Sequence, residues 1–219
     1  MGAFPDLAAA HISEDALLLR EMCHRTAGEV AAAMATMTLV RSARASGSRL
    51  RQIDMALARL RGFGELNRLL ARPMPARVEV AVDLEALCIA IGSGRLGASE
   101  SRIDLDMGKV WTTGVVARRL LVAAAAFVEE AVRCGLERRA GRMRVVLDGG
   151  ADHVALTVED DGPGPRLAAD DAMDGVGRAV AAELVGRGEG TLTLVTGRRG
   201  TRVTVAMPTG LENDDDVPF

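Results

Sequence analysis

The stretch VEDDGPG (residues 158–164) decides the fold, and a second glycine pair follows it in DGVG (residues 174–177). The first stretch lies at the end of a predicted strand, where a glycine turn lets the backbone approach a ligand and the Asp160 carboxylate can accept a hydrogen bond. Gly175 and Gly177 precede a predicted helix, so their amides could face phosphate groups at its positive end. The alternative interpretations are an ordinary acidic turn and a chance Gly-x-Gly.

A histidine far earlier in the chain stands in LLREMCHR (residues 18–25), which is predicted to be helical. His24 lies beside the apolar stripe of that helix and should be at least partly exposed; an exposed helix histidine usually has no special function. Its neutral imidazole is nevertheless a suitable phosphoryl acceptor, because one ring nitrogen is free while a neighbour holds the other. Glu21 could hold that second nitrogen, and Arg25 could pair with phosphoryl oxygens. The histidine and the glycine stretches together suggest phosphoryl transfer through His24.

The composition is that of an ordinary globular protein and disfavours nucleic acid as a partner. The chain has 219 residues, of which 48% are hydrophobic, enough for one large domain or two small ones with packed cores. It contains no tyrosine and a single tryptophan, so it lacks the stacking surfaces of single-stranded nucleic acid binders. Its net charge of −3 provides no field that attracts phosphate.

The sequence also predicts a soluble, cytoplasmic protein without a membrane partner. No apolar run reaches the roughly 18 to 20 residues that a membrane span needs, and the first six residues lack a basic region followed by an apolar core. Cys23, Cys88 and Cys134 are odd in number and widely spaced in apolar helical sequence. That pattern fits reduced thiols better than a disulfide framework or a zinc site.

Two amphipathic helices are predicted for the first third of the chain. Ser13, followed by two carboxylates, is a plausible cap for a helix that should run to about residue 44. Its apolar stripe consists of Leu19, Cys23, Ala27, Val30, Met34 and Met37. After a break at residues 45–48, a second stripe consists of Leu50, Ile53, Leu57 and Leu60. A helical hairpin leaves such stripes uncovered, so we expect a homodimer in which residues 13–72 form a four-helix bundle.

The stretch RPMP (residues 72–75) is the clearest break in the chain, because two prolines in four residues cannot continue a helix. We therefore expect an N-terminal segment at 1–12, the hairpin at 13–72, a second domain at 73–209 and an acidic tail at 210–219. Strands are predicted at 77–82, 102–105, 143–147, 154–158, 191–195 and 202–207, and helices at 84–91, 112–134 and 176–185. The fold class is α+β, and the second domain should be an α/β sandwich.

The order and spacing of these motifs resemble the histidine kinases of two-component signalling. The resemblance is to the HWE-like class, whose acceptor reads Glu-x-x-His-Arg, here residues 21–25, and it covers about residues 17–208. It implies a dimeric hairpin that carries the phosphorylated His24, followed by a catalytic domain of the Bergerat (GHKL) ATP-binding fold. By the same resemblance, Asp160 binds adenine, and Thr201, in the last-strand motif, is a further nucleotide-binding residue. The two glycine boxes are Gly162, Gly164, Gly175 and Gly177.

The sequence departs from that family at the magnesium position. The family reads Glu-Leu-Val-x-Asn-Ala there, with the asparagine binding Mg²⁺, whereas this chain reads AFVEEA (residues 126–131). Glu130 therefore stands at the metal position, where a carboxylate can bind Mg²⁺ but adds negative charge beside a triphosphate. Arg133, Cys134 and Gly28 also replace residues usual in the family, and the segment expected to cover a nucleotide, 166–173, is short.

The resemblance leaves three functions open. The first is a histidine kinase that autophosphorylates His24 from ATP with Mg²⁺ and passes the phosphoryl group to an aspartate of a response-regulator receiver domain. Retention of the aspartate and the glycine pairs favours it. The second is a ChpT-like phosphotransferase with a degenerate Bergerat domain, which does not bind ATP and relays phosphoryl groups between receiver domains. The third is a non-enzymatic dimeric scaffold for a response regulator. With no sensor domain expected before the hairpin, a separate sensor protein is a further candidate partner.

Overall fold

Two long helices begin the structure, a computed structural model that describes residues 13–42, 46–96, 100–136, 140–162, 175–197 and 200–211. They are α1 (Glu14–Ser42) and α2 (Ser46–Ala71), and they contact each other. The Ser13 hydroxyl accepts a hydrogen bond from the amide of Ala16 at 3.1 Å, so the predicted cap is confirmed. Both helices therefore occur where the periodicity predicts them.

The predicted apolar stripe of α1 faces away from the rest of the chain. All six of its residues are exposed, and Leu19 and Met34 are 62% and 67% exposed. Large exposed apolar side chains continue along α2 at Leu50, Met55, Leu57 and Leu60. The stripe thus covers nothing within one copy, and the dimeric four-helix bundle stays a prediction.

The remaining elements form two sheets and three further helices. A pair of short antiparallel strands, β1 and β3, lies beside a five-stranded mixed sheet of order β2-β4-β5-β7-β6, in which only β2 and β4 are parallel. The elements are β1 (Arg77–Glu79), α3 (Val80–Arg95), β2 (Arg102–Met107), β3 (Trp111–Thr113), α4 (Gly114–Ala131), a π-helical turn (Val132–Leu136), β4 (Arg142–Gly149), β5 (His153–Asp160), α5 (Gly175–Arg187), β6 (Thr191–Gly197) and β7 (Gly200–Pro208).

Several boundaries differ from the sequence prediction. α2 begins at Ser46, inside the break predicted at 45–48, and α3 runs from Val80 to Arg95 where a helix was predicted at 84–91. The strand predicted at 77–82 ends at Glu79, because the buried Val80, Leu84 and Leu87 follow helical spacing and belong to α3. The helix predicted at 112–134 begins at Gly114, because residues 111–113 pair with β1 and Thr113 caps α4 through its hydroxyl. The last turn of that predicted helix is π-helical.

The core lies between α4 and one face of the large sheet. Buried side chains alternate along β4 and β5, as in Met143, Val145 and Leu147, and α4 is buried over almost its whole length. The opposite face of the sheet is polar and carries ion pairs such as Arg144 with Asp106, 2.6 Å apart. The result is the predicted α+β class, with an α/β sandwich as its second part. Within the described residues, no helix is both long and apolar enough to cross a membrane.

Candidate functional site

α1 packs on the α/β part through a charged stripe. Leu17, Glu21, Arg25 and Glu29 are spaced by four residues, so they share one helix face, and each is only 4–6% exposed. This face lies next to the outward apolar stripe. Since buried charges need partners, the contacts of these three charged side chains determine how α1 is held.

Ion pairs from that stripe reach three other helices. Arg25 donates to Glu129 of α4 at 3.1 Å. Glu29 accepts from Arg59 of α2 at 2.7 Å and from Arg95 of α3 at 2.6 Å. Because Nε and Nη2 of Arg59 donate to the two oxygens of the Glu29 carboxylate, at 2.7 and 2.9 Å, this pair is bidentate and fixes orientation as well as distance.

His24 lies at the mouth of this interface. Its ring is partly buried and lines a cavity of about 210 Å³ between α1 and the α/β part. The cavity is also lined by five arginines and four glutamates: Arg25, Arg59, Arg95, Arg133, Arg178, Glu21, Glu29, Glu129 and Glu130. Four of the five arginines are paired with these glutamates, so the role of His24 as a phosphoryl acceptor stays a prediction.

Glu21 points toward α5. A Cβ atom on Gly177 would lie 3.3 Å from Glu21 Oε1 and 3.5 Å from Oε2, so the carboxylate rests on the first turn of α5. Its Oε2 is buried without a hydrogen-bond partner among the described residues. Burial raises the pKa of the Glu21 carboxyl, the Arg25 guanidinium opposes that rise, and the Glu129 carboxylate adds to it. The predicted role of Glu21 in holding the His24 ring therefore stays a prediction, and the carboxylate has a different neighbour.

Asp160 and Thr201, predicted as nucleotide contacts from distant parts of the chain, lie side by side. They are paired in register where β5 ends and β7 begins. The Asp160 carboxylate accepts a hydrogen bond from the amide of Gly162 at 2.8 Å. Gly200 makes this junction feasible: its φ is +132°, and a Cβ there would collide with the Asp160 carbonyl oxygen.

A second cavity, of about 20 Å³, borders Asp160 and Thr201. Its wall toward His24 is the ion pair between Arg178 of α5 and Glu130 of α4, with Nη1 and Oε1 3.1 Å apart. Both residues line both cavities. The pair therefore separates the space at His24 from the space at Asp160.

The described residues in this arrangement pair Glu130 with a guanidinium and leave little space at Asp160. Within them, no group of three or more His, Cys, Asp or Glu side chains is placed to hold a metal ion, and Glu130 faces a guanidinium. The space at Asp160 is far below the roughly 300 Å³ of small-ligand pockets. No chemical step through a metal or a nucleotide follows from these side chains as they stand.

The structure brings most of the predicted site residues to one region. Glu21, His24, Arg25, Glu130 and Gly177 line the larger cavity. Asp160 and Thr201 line the smaller one, with Gly162 beside them, and Gly175 begins α5. Arg25, predicted to meet phosphoryl oxygens, is already paired with Glu129, so that role stays a prediction. Gly164, the predicted nucleotide-covering segment 166–173, residues 1–12 and the acidic tail from residue 212 onward lie outside the described residues.

Sequence reasoning missed Arg59, Arg95, Glu129 and Arg178. All four lie on other helices than His24, and no local pattern links them to it. A signal was available for α1 itself, because Glu21, Arg25 and Glu29 repeat at four-residue spacing beside the apolar stripe. Their alternating sign is usual for a solvated face, and only the packing shows that it is buried.

No protein family model matches the chain, and no curated protein matches its sequence. Solved structures do match. A histidine kinase domain from a blue-light activated histidine kinase of Erythrobacter litoralis superposes with a TM-score of 0.56 at 18% identity, covering 83% of this chain and 94% of that one. A bacterial phosphotransferase gives a TM-score of 0.62 at 12% identity, covering 93% of this chain and 100% of that one.

The catalytic domain of the histidine kinase ThkA matches a smaller part, 63% of this chain and 97% of that one, with a TM-score of 0.51 at 10% identity. Identities this low relate the folds and carry no information on activity. The chain thus has the fold shared by histidine kinase domains and a bacterial phosphotransferase.

Proposed function

We propose that this chain is a histidine phosphotransferase of two-component signalling. His24 accepts a phosphoryl group from the aspartyl phosphate of one response-regulator receiver domain and returns it to the aspartate of another. The observation that carries this proposal is the ion pair between Arg178 and Glu130, which walls His24 off from the space at Asp160.

That ion pair disfavours transfer from a nucleotide. Phosphoryl transfer needs donor and acceptor atoms in line, with the transferred group between them. A nucleotide at Asp160 would face the paired Arg178 and Glu130 before it faced His24. The position that the family resemblance assigns to the metal ligand is likewise satisfied by a guanidinium. A phosphorylated receiver domain that approaches His24 from outside the chain needs neither the passage past this ion pair nor a metal at Glu130.

The transfer chemistry requires only the imidazole and a positive surrounding. A neutral ring nitrogen of His24 attacks the phosphorus of an aspartyl phosphate, the new N–P bond forms, and the P–O bond to the aspartate breaks. The carboxylate leaves with the bonding electrons, and the proton stays on the other ring nitrogen. The same steps in reverse load the second receiver. Guanidinium groups such as Arg133 and Arg178, both lining the cavity at His24, suit the charge of the transferred group.

The exposed apolar stripe supports a homodimer. Ten large apolar side chains of α1 and α2 are at least 40% exposed, among them Met34, Met37 and Met55. Many exposed apolar side chains on two neighbouring helices are typical of a face that another protein covers, and a second copy would complete a four-helix bundle. We place this homodimer in the cytoplasm, where receiver domains would reach His24 on the flank of the bundle.

An ATP-dependent autokinase is the second candidate, and the turn at Asp160 favours it. The Asp160 carboxylate is fixed by the Gly162 amide and packs on the backbone of Gly135, with Thr201 alongside. That is a preformed acceptor of hydrogen bonds, of the kind that recognises a base. For a kinase of this fold to transfer a phosphoryl group to His24, the ion pair between Arg178 and Glu130 would have to open.

One experiment separates the candidates. The purified wild type, His24→Ala and His153→Ala are each mixed with receiver domains from the source genome that carry radiolabelled aspartyl phosphate, and in parallel with terminally labelled ATP and Mg²⁺. His153 is the matched control, because it is an exposed histidine paired with Asp152 and remote from the cavity. Acid-labile label is then measured on each protein.

We expect label from at least one receiver on the wild type and on His153→Ala, none on His24→Ala, and none from ATP on any of them. Label from ATP that depends on His24 would support the autokinase instead. An absence of label from every donor, in protein shown to be folded, would leave the scaffold interpretation.

A further inference from the structure

The middle of α1 contains a glycine that the packing of the described chain does not require. Gly28 lies well inside this helix of 29 residues. Glycine is the poorest helix former apart from proline, because it loses the most backbone freedom on folding. A Cβ built on Gly28 meets no heavy atom within 4 Å beyond its chain neighbours and the backbone of its own helix. α1 therefore carries a destabilising residue at a position where a side chain would fit.

Gly62 shows the usual reason for a glycine inside a helix. A Cβ there would collide with the Ala90 carbonyl oxygen of α3, so the glycine lets α2 and α3 pack closely. Gly186 of α5 resembles Gly28, because open space surrounds it as well. Unlike Gly28, it lines neither the cavity at His24 nor the one at Asp160. Gly28 thus combines an unexplained glycine with a place at the candidate site.

Gly28 shares a flank of α1 with His24. The two residues are four apart, about one turn of the helix, and both line the cavity of about 210 Å³ between α1 and the α/β part. Val30 and Met34, in the outward apolar stripe, are two and six residues beyond Gly28, which places them on a different side of the helix. The space at Gly28 is therefore next to the His24 ring and away from the predicted dimer face.

The same cavity contains hydrogen-bonding groups that the described chain leaves without a partner. Arg25 is 6% exposed, and its Nη2 donates to Glu129 at 3.1 Å, whereas its Nε is buried without an acceptor among the described residues. A buried N–H without an acceptor destabilises a fold, and an oxygen of an incoming partner can supply one. This observation is independent of the glycine and indicates a partner that brings oxygen atoms.

The chemistry of the proposed transfer requires space beside His24. The attacking ring nitrogen and the phosphorus must come within roughly 3 to 3.5 Å of each other, in line with the bond that breaks. An aspartate has a single methylene between its backbone and its carboxyl group, so the receiver backbone that carries the aspartyl phosphate must itself approach the surface of α1. A side chain one turn from His24 would obstruct that approach.

We propose that Gly28 is the point on α1 at which the backbone of a receiver domain approaches during transfer to and from His24. The missing side chain provides the space for that contact, and the helix is less stable as a result. This inference rests on the proposed function, because the receiver is the donor and acceptor of the phosphoryl group. Gly28 takes part in no bond change, so it is a positioning residue.

Chemical loading of His24 separates the approach of the receiver from the chemistry of the ring. Phosphoramidate is a small donor that needs no docking surface: a ring nitrogen of His24 attacks its phosphorus, and the P–N bond of the donor breaks with ammonia as the leaving group. The full-length wild type, Gly28→Ala, Gly28→Leu and the control Gly186→Ala are loaded with labelled phosphoramidate, and label on His24→Ala is subtracted. Each loaded protein is then mixed with receiver domains from the source genome.

We expect Gly28→Ala to raise the melting temperature by roughly 2 to 4 °C, because alanine favours a helix more than glycine does. Gly186→Ala should raise it less, since it lies near the end of α5. All variants should load from phosphoramidate at the wild-type rate. Transfer to a receiver should be at least about tenfold slower from Gly28→Ala, slower still from Gly28→Leu, and unchanged from Gly186→Ala. A purely structural role of Gly28 would not give higher stability together with slower transfer.

Transfer from Gly28→Ala at the wild-type rate, or a melting temperature that does not rise, would overturn this inference and leave the relay intact. Slower loading of Gly28→Ala from phosphoramidate would place the effect on the ring and likewise overturn it. Equal slowing in Gly186→Ala would show that transfer depends on helix stability instead of space at Gly28. If the loaded wild type transfers label to none of the receivers, the proposed function fails, and this inference fails with it.

Discussion

Gly200 is the single residue on which the geometry at Asp160 depends most directly. Its φ of +132° suits glycine, and a Cβ would meet the Asp160 carbonyl oxygen. We expect Gly200→Ala to lower the free energy of unfolding by at least about 2 kcal/mol, from backbone strain and collision together. Gly197→Ala, in the same hairpin and with open space around it, should change that free energy by less than about 1 kcal/mol. Urea unfolding followed by circular dichroism measures both, and equal stabilities would contradict the expected collision.

Glu21 should make stability depend on pH in a defined direction. Burial raises the pKa of its carboxyl above 4.5, with Arg25 lowering it and Glu129 raising it, so the folded chain keeps the proton where the unfolded chain has released it. The free energy of unfolding therefore falls as pH rises from about the unfolded pKa through the folded one. Glu21→Gln should remove that fall and be more stable than the wild type at neutral pH, with the advantage disappearing in acid. If the free energies of unfolding of the wild type and Glu21→Gln change in the same way from pH 4 to 8, the pKa of the Glu21 carboxyl is not raised by folding.

Individual residues also show how far a sequence pattern reaches. His24 and Asp160 could be proposed as candidates because each stands in a short local pattern. The contact between Glu21 and Gly177 could not, because nothing local ties a helix at the start of the chain to a helix near its end. The ion pair of Glu130 with Arg178 could not be predicted either. Arg178 directly follows Gly177, and the family resemblance assigns that glycine box to phosphate binding.

Among the elements, α1 is attached to the α/β part by buried ion pairs and by an apolar cluster of Leu17 with Val122, Val180 and Leu184. Replacing Arg25 by Met should lower the free energy of unfolding by about 3 kcal/mol, because it leaves the largely buried Glu129 without its partner. Arg187→Met, which breaks the partly exposed pair with Glu183 one turn away, should cost no more than about 0.5 kcal/mol. Thermal and urea unfolding of the two variants test the difference. Similar losses would mean that the buried pair contributes no more than a surface pair.

Boundaries of elements were predicted less well than their existence. Both long helices and all five strands of the large sheet occur where periodicity predicts them. The short strand β3 was missed because the stretch from Trp111 to Thr113 adjoins an apolar helix and is too short to show alternation. Its three residues become a strand through pairing with β1, which is a tertiary contact.

The expected dimer can be tested on the outward face of α1. Placing carboxylates there with Val30→Glu and Met34→Glu would bury two unpaired charges in a four-helix bundle, so we expect dimer affinity to fall by at least about a hundredfold. Val82→Glu is the matched control, because Val82 is an equally exposed apolar residue, 64% exposed, on α3. Light scattering during size-exclusion chromatography reports the mass. A monomeric wild type, or a double variant that stays dimeric, would refute this interface.

The apolar stripe of α1 illustrates why the packing of the elements could be predicted only in part. The sequence pattern shows which side chains favour burial, and in the structure no other part of the described chain buries them. Conversely, the face of α1 that packs internally looks solvated, since it carries Glu21, Arg25 and Glu29. Hydrophobic periodicity thus marked the face expected to meet a second copy, while the intramolecular contact combines the apolar contacts of Leu17 with charge pairs that the sequence does not locate.

The burial of the ion pairs around Glu29 has a consequence for ionic strength. Dissolved salt screens exposed charges strongly and buried ones much less. Glu29 and Arg95 are largely buried, whereas pairs on the outer face of the sheet, such as Arg144 with Asp106, are open to solvent. Added salt should therefore leave His24 where it is while weakening attraction between the outer surface and any charged protein that approaches it. A relay rate that falls with salt would report on that encounter, and a rate that does not would show that collision is not the slow step.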